Sequence, residues 1–358
     1  MFGKEFFMTN IENKNIPAGT RDLIYEECIA PKEIEASLFS LYSKLGYQPV
    51  STPVLEYYST FNHGLQDIKE ESIFKFSGMN GKTVALRPDN TSPILRVAMS
   101  KLKDEPLPLK LCYSQDVFRN ITAFHAKRSQ MLQSGIEIIG GDSVEEDIRC
   151  IFTALESLGS CSHNYKLEIG HAGFIDALLD KFNLDKADKE DLRDFMSAKN
   201  SSEFPFASVL NNKEAVALAQ TVQRLFGGIE IIEKAEKLAL GNEKAMAILS
   251  YIKYIVNVFI DAGYGDMIII DLGIIQKIDY YTGLVFKGYV EGIGEAVLSG
   301  GRYDNLLLSF GSSLSACGFG LNVSELAMLK ETSTQNEVNL SFSNGASDVI
   351  AAKAYLKS

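Results

Sequence analysis

Apolar residues recur at helical spacing in several stretches of the chain. The first such stretch ends at Gly46, and its apolar positions are Ile34, Leu38, Leu41 and Leu45. This period is typical of an amphipathic helix with one buried face, and the glycine favours its end. TSPILRVAMSKL and VEEDIRCIFTALESLG repeat the pattern. We expect Thr91 or Ser92 to cap the former helix, with Pro93 in its first turn.

Strand patterns alternate with these helices. In YQPVSTPVLEYYSTF two prolines exclude a central strand over the whole length, so an edge or interface strand is predicted. ESIFKFSGMNGKTVALRPD is predicted to be a hairpin that turns at Met79–Asn80–Gly81. Further strands are predicted at LPLKLCYSQDVFRN, KRSQMLQSGIEIIGG, YKLEIGH, MIIIDLG, TGLVFKGYV and EAVLSGGRYD.

The order of these elements indicates the fold class. Strands come first, an almost purely helical block follows from about Ala172 to Gly263, and strands resume before a closing helix, VSELAMLKE. Hairpins and meanders are typical of an antiparallel sheet, so we predict an α+β fold with an inserted all-helical subdomain. The predicted units are a core in two parts (1–171 and 266–332), the helical insertion (172–265), and a polar linker with a short tail (333–358).

Composition limits the class of protein. The chain has 358 residues, of which 46% are hydrophobic, enough for a sizeable buried core. No apolar run approaches the ~20 residues of a membrane span, and the N-terminus lacks a secretory signal. We therefore expect a cytoplasmic protein without a membrane contact. The formal charge of −11, with no strong basic patch, weighs mildly against nucleic-acid binding.

Motifs for common chemistries are absent from the sequence. The 5 cysteines and 4 histidines lack metal-ligand spacing, so we expect reduced thiols and no metal site. Neither usual nucleotide-binding glycine motif occurs, and spacing supports no Ser-His-Asp or Cys-His arrangement. No cofactor is expected.

Polar residues planted in and beside the predicted strands are the main candidates for chemistry. Gln133 and Glu137 lie four apart in one strand, so their side chains share a face, and Glu137 stands between isoleucines. A carboxylate there is costly to bury without a partner. With Asp89, Thr91 and Arg119 at strand ends, these groups suit an amino acid that carries a basic ring. A structural polar network closing one end of the sheet is the alternative, and the pattern does not separate the two.

Seven motifs give the chain a family resemblance. They are PAGTRD, YQPVSTPVLE, ALRPDNT, VFRN, QSGIEIIG, IDYYTGLVF and SGGRYDNLL…ACGFGL. In order and spacing the chain resembles histidyl-tRNA synthetase from about Ile16 to Leu329, and DYYTG with GGRYD is close to a signature of that family. The resemblance implies a class II aminoacyl-tRNA synthetase core, an antiparallel sheet flanked by helices. It also implies a homodimer contact around Val50–Glu56.

The resemblance also implies a histidine pocket. By position, Asp89, Thr91 and Gln133 would hold the α-ammonium group and Arg119 the carboxylate of histidine. Glu137, Tyr280 and Tyr281 would hold the imidazole ring. Asp89 departs from the family pattern, in which glutamate is usual.

Other departures fall on the catalytic positions of the synthetase. Gln276 stands where the family has an activating arginine, with Lys277 in place of a glycine, and the arginine position of the last motif carries Glu325, after Asn322 and Ser324. AKRSQ represents the family's Gly-Arg-Tyr-Arg-Glu loop. An anticodon-binding domain is expected after Leu329, where this sequence has the linker and tail. Fixed cations are worth roughly 3–4 kcal/mol each to adenylation, so these replacements predict loss of catalysis.

A pocket retained without catalysis resembles the regulatory subunits of ATP phosphoribosyltransferase. That family implies a short-form catalytic subunit as partner, L-histidine as effector, a homodimer within a hetero-octamer, and no tRNA. It implies a non-catalytic protein required for activity and feedback control of the first step of histidine biosynthesis. The alternatives are a divergent or truncated histidyl-tRNA synthetase, and another synthetase-like paralogue that binds tRNA without charging it.

Overall fold

The computed structural model describes residues 15–61, 68, 70–120, 128–141, 144–182, 184–197, 212–274 and 281–329. Within these ranges the strands are β1 (Gln48–Pro49), β2 (Leu55–Tyr57), β3 (Lys75–Ser77), β4 (Thr83–Leu86), β5 (Leu109–Phe118), β6 (Gln130–Ile139), β7 (Tyr165–His171), β8 (Phe226–Gly227), β9 (Ile268–Asp271), β10 (Leu284–Val290), β11 (Leu298–Arg302) and β12 (Ala316–Asn322). The α-helices are α1 (Glu26–Lys44), α2 (Thr91–Ser100), α3 (Val144–Cys161), α4 (Phe174–Leu179), α5 (Lys186–Ser197), α6 (Lys213–Val222), α7 (Glu230–Leu238), α8 (Glu243–Asp261), α9 (Asp304–Leu308) and α10 (Val323–Leu326).

A nine-stranded sheet forms the centre of the fold, in the order β1-β5-β6-β12-β11-β10-β7-β9-β8. Its pairings are antiparallel except β1 with β5 and β7 with β9, which are parallel. A second, three-stranded sheet has the order β2-β4-β3. Helices flank the main sheet, so the predicted α+β fold class is confirmed, with a mixed rather than purely antiparallel sheet.

The two faces of the main sheet are covered by different helices. Ile136 and Ile138 of β6 belong to the apolar cluster that includes Leu38 of α1 and Leu155 of α3. On the other face, Ile139 packs with buried residues of α2 and α9. Because side chains alternate along a strand, Glu137 points to the α2 side, between two isoleucines that point away from it. That alternation places a carboxylate in an apolar layer.

Several local predictions are confirmed. Helix α1 ends at Lys44, and Gly46 takes a positive φ of 84° just beyond it. The hairpin β3–β4 turns at Asn80 and Gly81, with φ of 68° and 73°. The edge position expected of the proline-rich strand is that of β1, the outermost strand of the main sheet.

Other local predictions are wrong. Helix α2 is capped by neither Thr91 nor Ser92, because Asp89 Oδ1 accepts a hydrogen bond from the Ser92 N–H at 2.8 Å. The almost purely helical stretch is not one of these errors, because its described residues form helices α4 to α8 and the two-residue strand β8. Strand β12 lies outside the predicted strands, although it pairs with both β6 and β11. Across the described ranges, none of the helices has the length and apolar character needed to cross a membrane.

Candidate functional site

Glu137 is the centre of a polar cluster on the α2 side of the sheet. Its side chain is 1% exposed. Thr91, the first residue of α2, donates its hydroxyl to Glu137 Oε1 at 2.8 Å, and the Tyr303 hydroxyl donates to Oε2. The polar partner that a buried carboxylate requires is therefore present on both oxygens.

Burial raises the pKa of Glu137 to about 8, because desolvation disfavours the charged form. The hydrogen bonds from Tyr303 and Thr91 oppose this rise, and the nearby Asp89 carboxylate adds to it. Burial therefore favours the protonated form of Glu137 at neutral pH in the free protein. A ligand that presents N–H donors would favour the charged form.

Glycines make the room that these side chains occupy. Gly318 of β12 faces Glu137 across the strand pair, and a Cβ atom there would overlap Glu137 Oε2. Gly301 of β11 makes room for Tyr281 in the same way, since a Cβ atom on Gly301 would lie 2.8 Å from two carbons of the Tyr281 ring. Such distances exclude any larger residue without displacement of the neighbouring side chain.

Asp89 and Arg119 lie at the entrance to α2. Asp89 is half-buried, and its Oδ1 is occupied by the Ser92 N–H at the start of the helix. Burial raises the pKa of Asp89, whereas the Ser92 N–H and the positive charge of Arg119 oppose the rise. Arg119 Nε donates to the Pro88 carbonyl at 3.1 Å, which holds the guanidinium beside Asp89. The acidic Asp89 and the basic Arg119 thus lie side by side, where they could contact oppositely charged groups of a ligand.

Gln133 joins the cluster through Asn90. The Asn90 amide donates to Gln133 Oε1 at 3.5 Å and to the Gln115 carbonyl at 3.3 Å. Asn90 is 1% exposed, and among the described residues its Oδ1 has no hydrogen-bond donor. A buried acceptor in this state is costly unless a donor reaches it.

Two tyrosine rings border the cluster. Tyr281 and Tyr303 pack edge to face, with ring centroids 6.5 Å apart and planes at 69°. This is a favourable geometry for aromatic pairs. Tyr280, Gln276 and Lys277 lie outside the described residues.

The structure therefore brings together six of the seven candidate residues. They are Asp89, Thr91, Arg119, Gln133, Glu137 and Tyr281. Sequence reasoning did not select Tyr303 or Asn90. The signal for Tyr303 was its place in SGGRYD, at the end of a strand, and Asn90 stands between two selected residues.

The charges of this cluster favour a particular ligand chemistry. Among its described residues, Asp89 and Glu137 are acidic and Arg119 is the counter-charge. Acceptors outnumber cations here, so the arrangement suits a ligand with an ammonium group, a ring N–H and one carboxylate. Buried carboxylates that accept hydrogen bonds are well suited to select such groups.

The last motif has a different arrangement from the synthetase pattern. Asn322 Oδ1 caps α10 by accepting from the Glu325 N–H at 3.2 Å, and Ser324 Oγ accepts from the Leu132 N–H at 2.9 Å. The Glu325 carboxylate lies 3.9 Å from Arg128 Nε. At this position an acid therefore faces a cation, where an ATP-binding arginine would be expected.

Comparison with known proteins identifies relatives of this chain. A family model described as histidyl-tRNA synthetase matches residues 19–326. An ATP phosphoribosyltransferase regulatory subunit from Clostridium botulinum (strain 657 / Type Ba4) is 40% identical over 330 residues, which cover 90% of this chain and 78% of that protein. A protein of the same name from Bacillus thuringiensis (strain Al Hakam) is 38% identical, covering 89% of this chain and 76% of its own length.

Solved structures give the same picture of the fold. An ATP phosphoribosyltransferase regulatory subunit/histidyl-tRNA synthetase from Bacillus halodurans C superposes with a TM-score of 0.78 at 31% identity, covering 88% of this chain and 82% of that chain. Histidyl-tRNA synthetase from Nostoc sp. PCC 7120 has a TM-score of 0.72 at 18% identity, covering 88% and 73%. At 18% identity the likeness concerns the fold alone, and it confirms the class II synthetase-like core.

Proposed function

The chain belongs to the ATP phosphoribosyltransferase regulatory subunits with a histidyl-tRNA synthetase-like core, and on this basis we propose that it binds free L-histidine and transmits feedback control to a catalytic partner. The observation that carries the proposal is Glu137, a buried carboxylate bound by Thr91 and Tyr303 beside an aromatic pair. A carboxylate with that surrounding is an acceptor for an imidazole N–H.

The pocket roles proposed from the sequence are retained with one addition. Asp89, Thr91 and Gln133 hold the α-ammonium group, and Arg119 holds the carboxylate of histidine. On the imidazole side, Glu137, Tyr280 and Tyr281 are joined by Tyr303, whose hydroxyl already contacts Glu137. The buried acceptor of Asn90 lies beside the ammonium end and supports the same orientation.

Adenylation of histidine is not expected at this site. That reaction builds negative charge, and each fixed cation lowers the barrier by roughly 3–4 kcal/mol. Glu325 supplies the wrong sign, and Arg128, 3.9 Å from it, has its charge partly offset. A flexible lysine at position 277 would not reproduce an arginine fork. These replacements support a binding subunit rather than a ligase.

The proposed partner is a short-form ATP phosphoribosyltransferase catalytic subunit. It would assemble in the cytoplasm into a hetero-octamer with homodimers of this chain, in which two copies of the chain would contact each other around Val50–Glu56. An effector shifts an equilibrium only by its differential affinity for two states, so histidine must bind one state of the complex more tightly than the other. The relatives' name supports the partnership.

The proposal is tested by an assay of phosphoribosyl-ATP formation with the purified catalytic subunit, alone and mixed with this chain, with and without L-histidine. We expect histidine to inhibit the mixture and not the catalytic subunit alone. Failure of the two chains to associate at micromolar concentration would contradict the regulatory role.

A divergent histidyl-tRNA synthetase is the alternative function, because the matching family model carries that description. The two functions differ in whether ATP is consumed. Pyrophosphate exchange that depends on histidine and ATP, at rates typical of a synthetase, would favour the alternative.

A further inference from the structure

A buried ion pair adjoins Tyr303 along the chain. Arg302, the last residue of β11, is 9% exposed, and its Nε donates to both carboxylate oxygens of Asp147 on α3, at 3.0 and 3.2 Å. Asp147 is itself 2% exposed. A buried ion pair contributes little net stability, because desolvation offsets the attraction, whereas loss of one partner leaves an uncompensated buried charge.

The same ion pair is joined to the chain neighbours of both pocket rings. Arg302 and Asp304 flank Tyr303, and Arg302 Nη1 donates to Asp304 Oδ1 at 3.3 Å. Thr282 follows Tyr281, its hydroxyl donates to Asp304 Oδ2 at 3.1 Å, and its N–H donates to the Arg302 carbonyl at 2.8 Å. The backbone on either side of the ring pair is therefore held by one connected set of polar contacts.

Asp147 also contacts a helix that lies outside the pocket. Tyr251 of α8 donates its hydroxyl to Asp147 Oδ2. The Tyr251 ring packs edge to face on His171 at the end of β7, with centroids 6.0 Å apart and planes at 86°. Helix α8 therefore contacts the ion pair through the Tyr251 hydroxyl, and the packing of the Tyr251 ring on His171 fixes the position of that hydroxyl.

We propose that Tyr251, Asp147 and Arg302 are positioning residues that couple the orientation of the Tyr281 and Tyr303 rings to the placement of helix α8. This inference rests on the proposed function, because the orientation of the Tyr281 and Tyr303 rings can change the affinity for an effector only if the pocket binds one. Coupling between sites is reciprocal, so a change at α8 alters ligand affinity and ligand binding alters α8 to the same degree.

Tyr251→Phe tests the coupling with the loss of a single hydroxyl. Calorimetry with L-histidine on the full chain should show a roughly 2- to 10-fold weaker affinity, the value of one ordinary hydrogen bond. Tyr264→Phe is the matched control, because the Tyr264 hydroxyl donates to Glu156 on the same helix α3 at 2.7 Å without reaching the ion pair. Its affinity should equal that of the wild type.

A double-mutant cycle distinguishes coupling from two independent losses. Thr282→Val removes the hydroxyl that joins Asp304 at the pocket end of the set. The effects of substitutions within one hydrogen-bonded network are not additive. The fold-loss of histidine affinity in the double variant Tyr251→Phe/Thr282→Val should therefore be at least about twofold smaller than the product of the two single fold-losses. Losses that multiply would overturn the inference.

A measurement without ligand separates this inference from the proposed function. The chain is labelled with 3-fluorotyrosine, and Tyr303→Phe assigns the Tyr303 fluorine signal among those of the 15 tyrosines. We expect that signal to shift in Tyr251→Phe and to stay in place in Tyr264→Phe. If the wild type binds no histidine, the proposed function fails and the Tyr303 signal alone decides the coupling.

An unmoved Tyr303 signal in Tyr251→Phe overturns the inference, and so does a histidine affinity equal to that of Tyr264→Phe. Should Tyr251→Phe fail to fold, Thr282→Val gives the reciprocal test from the pocket end. In that variant the Tyr251 fluorine signal, assigned by its proximity to the His171 ring, must shift, and an unmoved signal overturns the inference.

Discussion

Gly318 stands directly opposite Glu137 in the β12–β6 pair, and the absence of a side chain on Gly318 creates the space in which the Glu137 carboxylate lies. A Cβ atom on Gly318 would overlap Glu137 Oε2 and approach the Tyr303 hydroxyl, which is 2.9 Å from the ideal Cβ position. It would also meet the Ile136 carbonyl, which cannot move without disturbing the sheet. The pocket therefore depends on the absence of a side chain at position 318.

Gly318→Ala should disrupt the pocket through this overlap. We expect a histidine affinity at least about tenfold weaker, because Glu137 must leave the Tyr303 hydroxyl, and an overpacking loss of roughly 1–3 kcal/mol in the free energy of unfolding. Gly265→Ala is the control, since the nearest atoms to its Cβ would be those of Ile260, at ordinary contact distances of 3.5 Å and 3.8 Å. Calorimetry and denaturant unfolding measure both quantities. Equal histidine affinity in the two variants would contradict this role of Gly318.

The same glycine explains why strand β12 could not be predicted. Residues 316–322 read ACGFGLN, and glycines inside a short stretch indicate turns or close approach rather than a strand. Gly318 and Gly320 are there because Glu137 and Tyr113 need the volume, a requirement set by the neighbouring strand. Long periodic helices such as α1 were predictable because the spacing of apolar residues that favours a helix lies within the segment itself.

Part of the site was predictable for a similar reason. Gln133 and Glu137 share a strand, so their common face follows from period two. The Glu137–Tyr303 bond joins residues 166 apart in sequence, and the Arg302–Asp147 pair joins residues 155 apart. No local pattern encodes such contacts, so Tyr303 was visible only as part of a motif. The sequence indicates Asp89 as a ligand-binding residue. Its second role, as the cap of α2, depends on the hydrogen bond from the Ser92 N–H, which only the structure shows.

Glu137→Gln should weaken histidine binding more than it weakens folding. The substitution replaces one charge-assisted hydrogen bond worth roughly 1.5–3 kcal/mol, so affinity should fall about ten- to a hundredfold. Glu156→Gln is the matched control, because Glu156 also accepts a tyrosine hydroxyl, at 2.7 Å, away from the pocket. If calorimetry shows unchanged affinity for Glu137→Gln, Glu137 is a structural carboxylate.

The pKa of Glu137 predicts how folding stability depends on pH. Its folded pKa of about 8 lies above the ordinary glutamate value of 4.5, so the folded chain binds the extra proton between these two pH values. The contribution of Glu137 is therefore fully present below pH 4.5 and is lost as pH rises through 8. Between pH 6 and pH 8 the wild type should lose ~2 kcal/mol of unfolding free energy relative to Glu137→Gln. Urea unfolding at both pH values measures this, and parallel pH profiles would refute it.

Histidine binding should release protons near neutral pH. The free protein holds Glu137 mostly protonated, whereas an imidazole N–H favours the carboxylate as its acceptor. Calorimetry in buffers of different ionisation enthalpy should then report release of up to about one proton per histidine at pH 7. The release should disappear in Glu137→Gln, and a release that persists in that variant would assign the proton to another group.

Asp89→Asn tests whether the pocket controls a catalytic partner. Asparagine keeps an oxygen that can accept from the Ser92 N–H, so the cap of α2 survives, whereas alanine would also lose roughly 0.5–2 kcal/mol of cap stability. The variant removes the negative charge that would face the α-ammonium group of histidine. We therefore expect a complex with the short-form catalytic subunit that assembles normally and needs at least about tenfold more histidine for half-inhibition. Phosphoribosyl-ATP formation is measured against histidine concentration for both complexes, with gel filtration to confirm assembly. Identical inhibition curves would exclude the ammonium role of Asp89, and a variant that no longer assembles would place Asp89 at the partner contact instead.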